Sequence, residues 1–264
     1  HWKTTSISHI GAIPLQEDKR GLLFMDRKSE IKQNIARVEA TINQALKDSG
    51  RSRTELTYIV VTKKFPVTDI EILYDLGIRD FGENKEQEAQ KKVAYFRGRL
   101  DRDFSDIRWH FQGQLQRNKL ASIGSWAYMV HSVDDVKYLK GLADSASSHG
   151  RIVRALIQIS LDTQKSPGRG GIDIQGAREI LRSYENSRNP GLEIVGLMGV
   201  APIEENPSRA FERLNMVFLT LQKDAPYLST LSAGMSGDFE SAIHHGATHL
   251  RIGSSILGNR VPAE

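Results

Sequence analysis

The stretch Tyr58-Ile-Val-Val-Thr-Lys-Lys-Phe-Pro66 determines how the rest of the chain is interpreted. Its run of β-branched residues over 59–61 predicts a strand that is buried on both faces, and Lys63 and Lys64 follow where this strand ends. A lysine amine at the exit of a buried strand lies near apolar walls, and desolvation there lowers its pKa toward the neutral, nucleophilic form. Such an amine can form a Schiff base. The alternative is that both lysines only mark where the strand meets water.

The composition is that of an ordinary globular protein. The chain has 264 residues, of which 39% are hydrophobic and 26% charged, and this length suits one large domain or two small ones. The apolar runs are too short to cross a bilayer and no secretory segment is visible, so we expect a cytoplasmic protein without a membrane partner. There is no cysteine, which excludes disulfides, thiolate metal sites and a cysteine nucleophile.

The charge pattern indicates neither a nucleic-acid partner nor a metal site. The net charge is +4 and the pI about 9.2, but acidic and basic residues alternate and no nucleic-acid motif accompanies them. The neighbours His244 and His245 point to different sides of a predicted helix, so the His-Glu-x-x-His spacing of a zinc site is absent.

Two different patterns precede the first strand. Residues 1–25 show no sustained periodicity and contain Gly11, Pro14 and Gly21, so we expect a flexible N-terminal tail. From Asp26 onward, apolar residues at steps of three to four predict an amphipathic helix that ends near Gly50. These apolar residues are Ile31, Ile35, Val38, Ile42 and Leu46.

Eight segments with strand character alternate with helical patterns along the remainder of the chain. The seven that follow the first strand are Ile78–Phe81, Ile107–Phe111, Tyr128–Val130, Ile152–Leu161, Glu193–Val200, Leu228–Leu231 and His249–Ile252. Several helix starts carry capping signals, and the two clearest are a capping box over 68–71 and Asn206 followed by a proline. Eight such units predict a single (β/α)8 TIM barrel over 26–264, with an extra N-terminal helix. The alternative is a doubly wound open sheet, but no Gly-x-Gly-x-x-Gly follows a strand.

In such a barrel the functional site lies at the carboxyl ends of the strands, and phosphate often binds after strands seven and eight. Here those loops are 234–238 and 251–255, and each places a glycine and a serine at a predicted helix N-terminus, which favours an anion. The alternative is that Ser236 and Ser254 are ordinary helix N-caps. Lys63 ends strand one, beside strand eight, and would therefore face both loops.

Further polar and apolar residues end the other strands. Asn84 and His110 could orient a planar ligand, while Met198 and Met235 could pack on a ring or simply fill the core. Arg251 needs an acceptor. Beside a pyridine nitrogen it would keep that nitrogen unprotonated, and the ring would then be a weak electron sink.

Taken together, these motifs resemble the pyridoxal phosphate homeostasis proteins, single-domain relatives of the N-terminal barrel of alanine racemase. The resemblance covers about 31–260, and its markers are Val61-Thr-Lys63, Phe81-Gly-Glu-Asn84, Trp109-His-Phe-x-Gly113, Gly196-Leu-Met198, Gly234-Met-Ser236 and Arg251-Ile-Gly-Ser254. It implies that Lys63 carries pyridoxal 5'-phosphate as a covalent aldimine. It also implies that Ser236, Gly253 and Ser254 hold the phosphate and that Arg251 faces the pyridine nitrogen. Asn84, His110, Met198 and Met235 complete the expected set of cofactor contacts.

The family resemblance implies a carrier or buffer of the cofactor rather than an enzyme, with apo forms of pyridoxal phosphate-dependent enzymes as partners. One departure is Phe65, which occupies the position of a second lysine common in the family. A racemase of this type takes a tyrosine base from an additional β domain, and because the chain ends at Glu264 we expect no such domain and a monomer. The alternatives are an amino-acid racemase that uses Lys63 with His110 or water, and a Schiff-base aldolase for which Glu83 is the nearest acid.

Overall fold

Eight parallel strands form a closed barrel in the computed structural model, which describes residues 15–17, 23–162 and 169–259. The first strand pairs with both the second and the eighth, and this pairing closes the sheet. The strands are β1 Thr57–Val61, β2 Asp80–Glu83, β3 Arg108–Phe111, β4 Met129–Val133, β5 Val153–Ile159, β6 Leu192–Gly199, β7 Thr230–Ser232 and β8 His249–Ile252. The predicted (β/α)8 barrel is therefore confirmed, and the open-sheet alternative is wrong.

A helix follows every barrel strand, and one additional helix precedes them. The helices are α1 Arg27–Asp48, α2 Val67–Asp75, α3 Glu86–Arg97, α4 Leu120–Trp126, α5 Leu139–Ser148, α6 Ile174–Asn186, α7 Pro207–Gln222, α8 Phe239–His244 and α9 Ser254–Leu257. None of the helices within the described ranges is long and apolar enough to cross a membrane.

Helix α1 joins the end of the barrel to its beginning. Its buried stripe includes Ile31 and Ile42, as the periodicity predicts, and the helix contacts α2, α8 and α9. The Asn34 amide donates to the Ile256 carbonyl at 2.8 Å, and Arg27 binds both Asp69 at 2.7 Å and a carbonyl of α9. These bonds fix α9 and the loop before it, where part of the candidate site lies.

The predicted N-terminal tail falls mostly outside the described residues. Within 1–25, Leu15–Glu17 and Leu23–Met25 form a short antiparallel pair. The flexibility predicted for the rest of this segment stays a prediction.

The two capping predictions have opposite outcomes. Asn206 caps α7 as expected, with its side chain accepting from the Ser208 N–H at 2.9 Å and a proline at the first helical position. The capping box over 68–71 is wrong because α2 begins at Val67, with Pro66 at the N-cap position and no side-chain cap bond. Thr68 therefore lies inside the first turn.

Some strand boundaries also differ from the prediction, and the difference affects the site. β2 runs to Glu83 instead of ending at Phe81, and β4 runs to Val133 instead of ending at Val130. Glu83 and His131 are consequently fully buried strand residues rather than residues of the loops at the barrel mouth.

Candidate functional site

Two adjoining cavities open at the carboxyl end of the barrel. The first has a volume of about 460 Å³ and the second about 350 Å³. Both are lined by Lys63, Gln112, Met235 and Arg251, so they form two compartments of one site. The strand ends place these residues together because all eight strands are parallel and finish at the same edge.

Eight of the nine predicted cofactor contacts line this site. Lys63, Met235 and Arg251 line both compartments, and the loop residues Ser236, Gly253 and Ser254 line the first. Asn84 and Met198 line the second compartment. Met198 is also packed against Met129 and Leu156 inside the barrel, so it serves the core as well.

The loops after β7 and β8 are bonded to each other through Ser236. Its hydroxyl oxygen accepts from the backbone N–H of Gly253 at 3.3 Å and of Ser255 at 3.1 Å. Ser236 is therefore not the N-cap of α8, a position that Asp238 occupies, and it instead caps the start of α9. The backbone N–H groups of Ser236, Gly237 and Ser254 have no acceptor among the described residues, so they are available to an anion.

Gly234 shapes the first of these loops. Its φ is +96°, and a Cβ atom there would lie 2.7 Å from a side-chain carbon of Ala242 and 2.9 Å from the Cα of Phe239. Only glycine fits this position without strain, because a side chain would force α8 away from the loop. Gly237 lies in the same turn, and a Cβ atom at that position would meet no other atom within 4 Å.

Arg251 is buried without a carboxylate partner in the described part of the chain. One guanidinium nitrogen donates to the Ser232 hydroxyl at 2.6 Å and another to the Gly199 carbonyl at 3.0 Å. Burial lowers the pKa of Arg251 to about 10, so it still carries its charge at neutral pH. The sequence analysis predicted that Arg251 needs a hydrogen-bond acceptor, and the two acceptors that it contacts, a hydroxyl and a carbonyl, are both uncharged.

His110 does not lie where the sequence analysis placed it. Its side chain is fully buried inside the barrel and lines neither compartment. One ring nitrogen bonds Asp80 Oδ1 and the other bonds His131, each at 2.9 Å. The side chain points toward the amino end of β2, so its position does not support direct contact with a ligand.

His110 instead belongs to a hydrogen-bonded chain of buried side chains that starts at Arg251. Ser232 bonds His131 Nδ1 at 2.8 Å, His131 bonds His110, and His110 bonds Asp80. Burial raises the pKa of Asp80, but hydrogen bonds from Arg108 and His110 outweigh it and lower this pKa to about 2. Asp80 is therefore a charged acceptor at neutral pH.

The donor and the acceptor of every hydrogen bond in this chain can be assigned, because Asp80 at one end only accepts and Arg251 at the other end only donates. Burial lowers the pKa of both histidines, so each is neutral at pH 7 with one N–H and one acceptor nitrogen. Because Asp80 only accepts, His110 donates to it from Nε2 and accepts at Nδ1 from His131. His131 then accepts from the Ser232 hydroxyl, whose oxygen accepts from Arg251. All donors point from Arg251 toward Asp80.

A second buried cluster holds the loop that carries Lys63. The Lys92 ammonium binds Glu83 at 2.7 Å, Glu88 at 2.8 Å and the Thr62 carbonyl at 2.8 Å. Glu88 also accepts from the Lys64 backbone N–H at 2.5 Å, where the backbone takes a φ of +65°. The residues on both sides of Lys63 are therefore fixed.

This cluster also contains Glu83, the acid that the sequence analysis considered for an aldolase. Its carboxylate is fully buried and bonded to Lys92 and to the Thr62 hydroxyl, and it lines neither compartment. Burial raises the pKa of Glu83, which Lys92 opposes. Glu83 consequently has a structural environment rather than access to a substrate.

Gln112 is a site residue that the sequence analysis did not include. It lines both compartments, and its buried side-chain nitrogen has no hydrogen-bond partner in the described chain. A Cβ on Gly82 would lie 1.9 Å from this nitrogen, so the glycine makes room for it. Gln112 directly follows the last residue of β3, and a polar residue at the carboxyl end of a strand was the signal that could have identified it.

Phe65, which stands where the resemblance implies a second lysine, lines the first compartment. Its ring is partly buried against the core, and the Arg27 guanidinium lies 6.0 Å from the ring centre. An apolar group therefore occupies a place beside Lys63 where a second amine would otherwise lie.

Comparisons with known proteins agree with this geometry. The family model of the alanine racemase N-terminal domain matches residues 29–261. The chain is 38% identical to a pyridoxal phosphate homeostasis protein of Mycobacterium leprae, with 88% of this chain and 94% of that protein covered. It is 32% identical to the pyridoxal phosphate homeostasis protein of Escherichia coli strain K12, with 88% and 97% covered.

A solved structure is similar to this chain in both sequence and fold. PipY of Synechococcus elongatus, solved with pyridoxal phosphate bound, is 29% identical and superposes with a TM-score of 0.71, covering 86% of this chain and 100% of that one. The chain therefore belongs to the alanine racemase N-terminal domain family and, within it, to the pyridoxal phosphate homeostasis proteins.

Proposed function

We propose that this protein binds pyridoxal 5'-phosphate through a Schiff base with Lys63 and takes part in vitamin B6 homeostasis as a carrier or buffer without a reaction of its own. One observation carries the proposal. Lys63, Arg251, the loop that contains Ser236 and the loop that contains Ser254 all line the same cavity. A lysine amine, a fixed cation and a set of vacant backbone donors are the groups that an aldehyde, a pyridine nitrogen and a phosphate require.

The residues present fit this cofactor at both ends. The phosphate would be held by the vacant N–H groups of Ser236, Gly237 and Ser254, together with the Ser254 hydroxyl. Gln112 offers an otherwise unsatisfied buried amide nitrogen to the ring substituents. When bound, the cofactor supplies an electrophilic aldehyde and an electron-accepting ring.

Arg251 limits how strongly such a ring could act. Its guanidinium lines both compartments, and the acceptors it binds, Ser232 and Gly199, are neutral. Its charge disfavours a proton on a nearby ring nitrogen, and an unprotonated pyridine withdraws electrons weakly. This favours holding the cofactor over carbanion chemistry.

The site also offers few groups for proton transfer. Among the residues that the structure describes, no tyrosine or histidine side chain lines either compartment. The buried position of His110 weakens the racemase in which it shares proton transfers with Lys63, and the pairing of Glu83 weakens the aldolase. Both observations support the carrier.

The proposal extends to the setting in which the carrier works. It acts in the cytoplasm as a monomer and supplies apo forms of pyridoxal phosphate-dependent enzymes. Size-exclusion chromatography with light scattering tests the oligomeric state. Transfer is tested by mixing the loaded protein with an apo-enzyme and following the recovery of that enzyme's activity.

The central test is an absorbance spectrum of the protein with pyridoxal phosphate, before and after borohydride reduction. We expect a visible band that reduction removes, with the added mass located on the peptide that contains Lys63. Lys63→Ala should lack the band, whereas Lys64→Ala, which removes the exposed neighbouring amine, should retain it.

The outcomes separate the candidate functions. A wild-type protein that shows no band after addition of pyridoxal phosphate would overturn both the carrier and the racemase, and the aldolase would then come first. A band together with amino-acid racemisation that Lys63→Ala abolishes would replace the carrier by the racemase.

A further inference from the structure

A third cavity lies at the opposite end of the barrel from the candidate cofactor site. Its volume is about 450 Å³, and its apolar wall consists of the rings of Phe96, Phe104, Trp109 and Trp126. Arg97 ends α3, Trp126 ends α4 and Arg151 precedes β5, so the cavity is at the amino end of the strands. None of its lining residues lines either compartment of the cofactor site.

Two buried donors of this cavity lack an acceptor. The indole Nε1 of Trp126 and the Nε of Arg151 are both inaccessible to solvent, and neither has a hydrogen-bond partner in the described part of the chain. Trp126 is only 2% exposed. Buried N–H groups are normally paired, so these two unpaired donors mark an imperfectly satisfied part of the protein directly behind the cavity wall.

The cavity also carries an excess of positive charge. Within the described ranges, neither Arg97 nor Arg151 forms an ion pair, and each donates only to backbone carbonyls. Arg99 and Arg102, on the rim, are paired with Glu71, Asp101 and Asp75. The Asp103 carboxylate also lines the cavity, where it accepts from the Ser105 backbone N–H at 2.8 Å, and its negative charge offsets one of the two arginines.

Arg97 and Arg151 influence each other. Burial lowers the pKa of Arg151, and the charge of Arg97 lowers it further. A negative group between them would relieve this repulsion.

We propose that this cavity is a second binding site, which takes a small anion carrying a flat apolar ring. The anionic group binds Arg97 and Arg151, and the ring packs on the aromatic wall. A phosphate monoester and a carboxylate share this chemistry. The proposal does not depend on the function assigned to the other end of the barrel.

Tryptophan fluorescence reports directly on this cavity. Trp109 and Trp126 both line it, and the remaining tryptophan of the sequence, Trp2, is removed by a Trp2→Phe background. The probes are phenyl phosphate, inorganic phosphate and benzoate, each titrated at constant ionic strength. We expect a saturable change that is tighter for phenyl phosphate than for inorganic phosphate. The relative response to phenyl phosphate and benzoate then distinguishes a phosphate from a carboxylate ligand.

Matched variants make the test specific. Arg97→Gln and Arg151→Gln should each weaken phenyl phosphate binding at least about tenfold, because each removes a charge-assisted hydrogen bond. Arg178→Gln removes the same charge from a partly exposed position on α6, away from the cavity lining, and should leave binding unchanged.

The proposal is overturned if no probe gives a saturable change, or if Arg178→Gln weakens binding as much as the two cavity variants do. Competition by pyridoxal phosphate in the Lys63→Ala protein, with Arg97→Gln lacking an effect, would also overturn it. That result would place the anion at the other end of the barrel. Because Arg97 is exposed, Arg97→Gln keeps the test valid if Arg151→Gln fails to fold.

Discussion

Replacing Asp80 by asparagine tests whether the buried chain of polar side chains stabilises the barrel. The Asp80 carboxylate is 6% exposed and accepts two bonds from Arg108, at 2.8 and 2.6 Å, and one from His110 at 2.9 Å. Asparagine has one acceptor oxygen in place of two and presents an N–H group toward a donor. Asp80→Asn therefore removes a charge and leaves donors unsatisfied.

The size of the effect follows from the pKa of Asp80. Hydrogen bonds from Arg108 and His110, acting against burial, lower this pKa from 3.8 to about 2. At about 1.36 kcal/mol for each pKa unit, the folded state favours the ionised carboxylate by about 2.4 kcal/mol. We expect Asp80→Asn to lower the free energy of unfolding by about 2 to 4 kcal/mol at pH 7. The upper value allows for Arg108, which would lose its charged partner, in addition to the preference of the folded state for the carboxylate.

The pH dependence has a definite sign. Because the folded-state pKa is depressed, the stabilisation is complete above the unfolded value of 3.8 and is lost as the pH falls through about 2. The difference in unfolding free energy between the wild type and Asp80→Asn should be constant above about pH 5 and should narrow below pH 4.

Urea denaturation followed by circular dichroism at pH 7, 5, 4 and 3 measures this difference. Asp224→Asn is the control, because this exposed carboxylate only approaches Arg178 at 4.0 Å and should change the stability by less than about 0.5 kcal/mol. A loss at pH 7 as small as that of the control would refute the reasoning. So would a difference that stays the same from pH 7 to pH 3.

Three further substitutions test other parts of the site. Gly234→Ala should lower the free energy of unfolding by about 2 kcal/mol or more, because its Cβ would lie 2.7 Å from another carbon at a φ of +96°. Gly237→Ala in the same turn should leave the stability unchanged, and the urea midpoints of the two variants compare them. Gln112→Ala should weaken pyridoxal phosphate binding about tenfold in an absorbance titration, since it removes a hydrogen-bond donor of the site. Lys92→Met should lower the unfolding free energy by about 3 to 5 kcal/mol by leaving Glu83 buried and unpaired, and adding Glu83→Gln should restore part of this loss in the same urea assay.

The barrel and most of its site were predictable from the sequence for a simple geometric reason. Each βα unit leaves a local signal, a short apolar run followed by a helical period, and parallel strands finish at the same edge. Lys63 and Arg251, which are far apart in the chain, were therefore expected together, because the strands that carry them are neighbours once the barrel closes. Their expected positions did not depend on knowing any side-chain direction.

The prediction for His110 required information that the sequence does not contain. Whether a strand residue points to the mouth or lies deeper depends on the strand's register with its neighbours and on the layer it occupies in the barrel. A two-residue displacement of β2 was enough to move Glu83 from the loop into the barrel wall. The chain from Arg251 to Asp80 joins residues of five different strands, and no local sequence pattern records such an arrangement.

The same chain gives Arg251 hydrogen-bond partners inside the barrel without placing a carboxylate directly against it. A buried guanidinium usually needs a carboxylate beside it, but here its contacts are Ser232 and Gly199, and Asp80 lies at the other end of the chain. Because every bond points the same way, the Asp80 charge polarises both histidines and makes the Ser232 oxygen a better acceptor. Asp80 is itself paired with Arg108, and the charge of Asp238 is the one that opposes the effect of burial on the Arg251 pKa. The positive charge of Arg251 therefore stays available to a ligand. A carboxylate placed directly against Arg251 would cancel that charge, and with it the effect on a pyridine nitrogen that the proposed carrier uses.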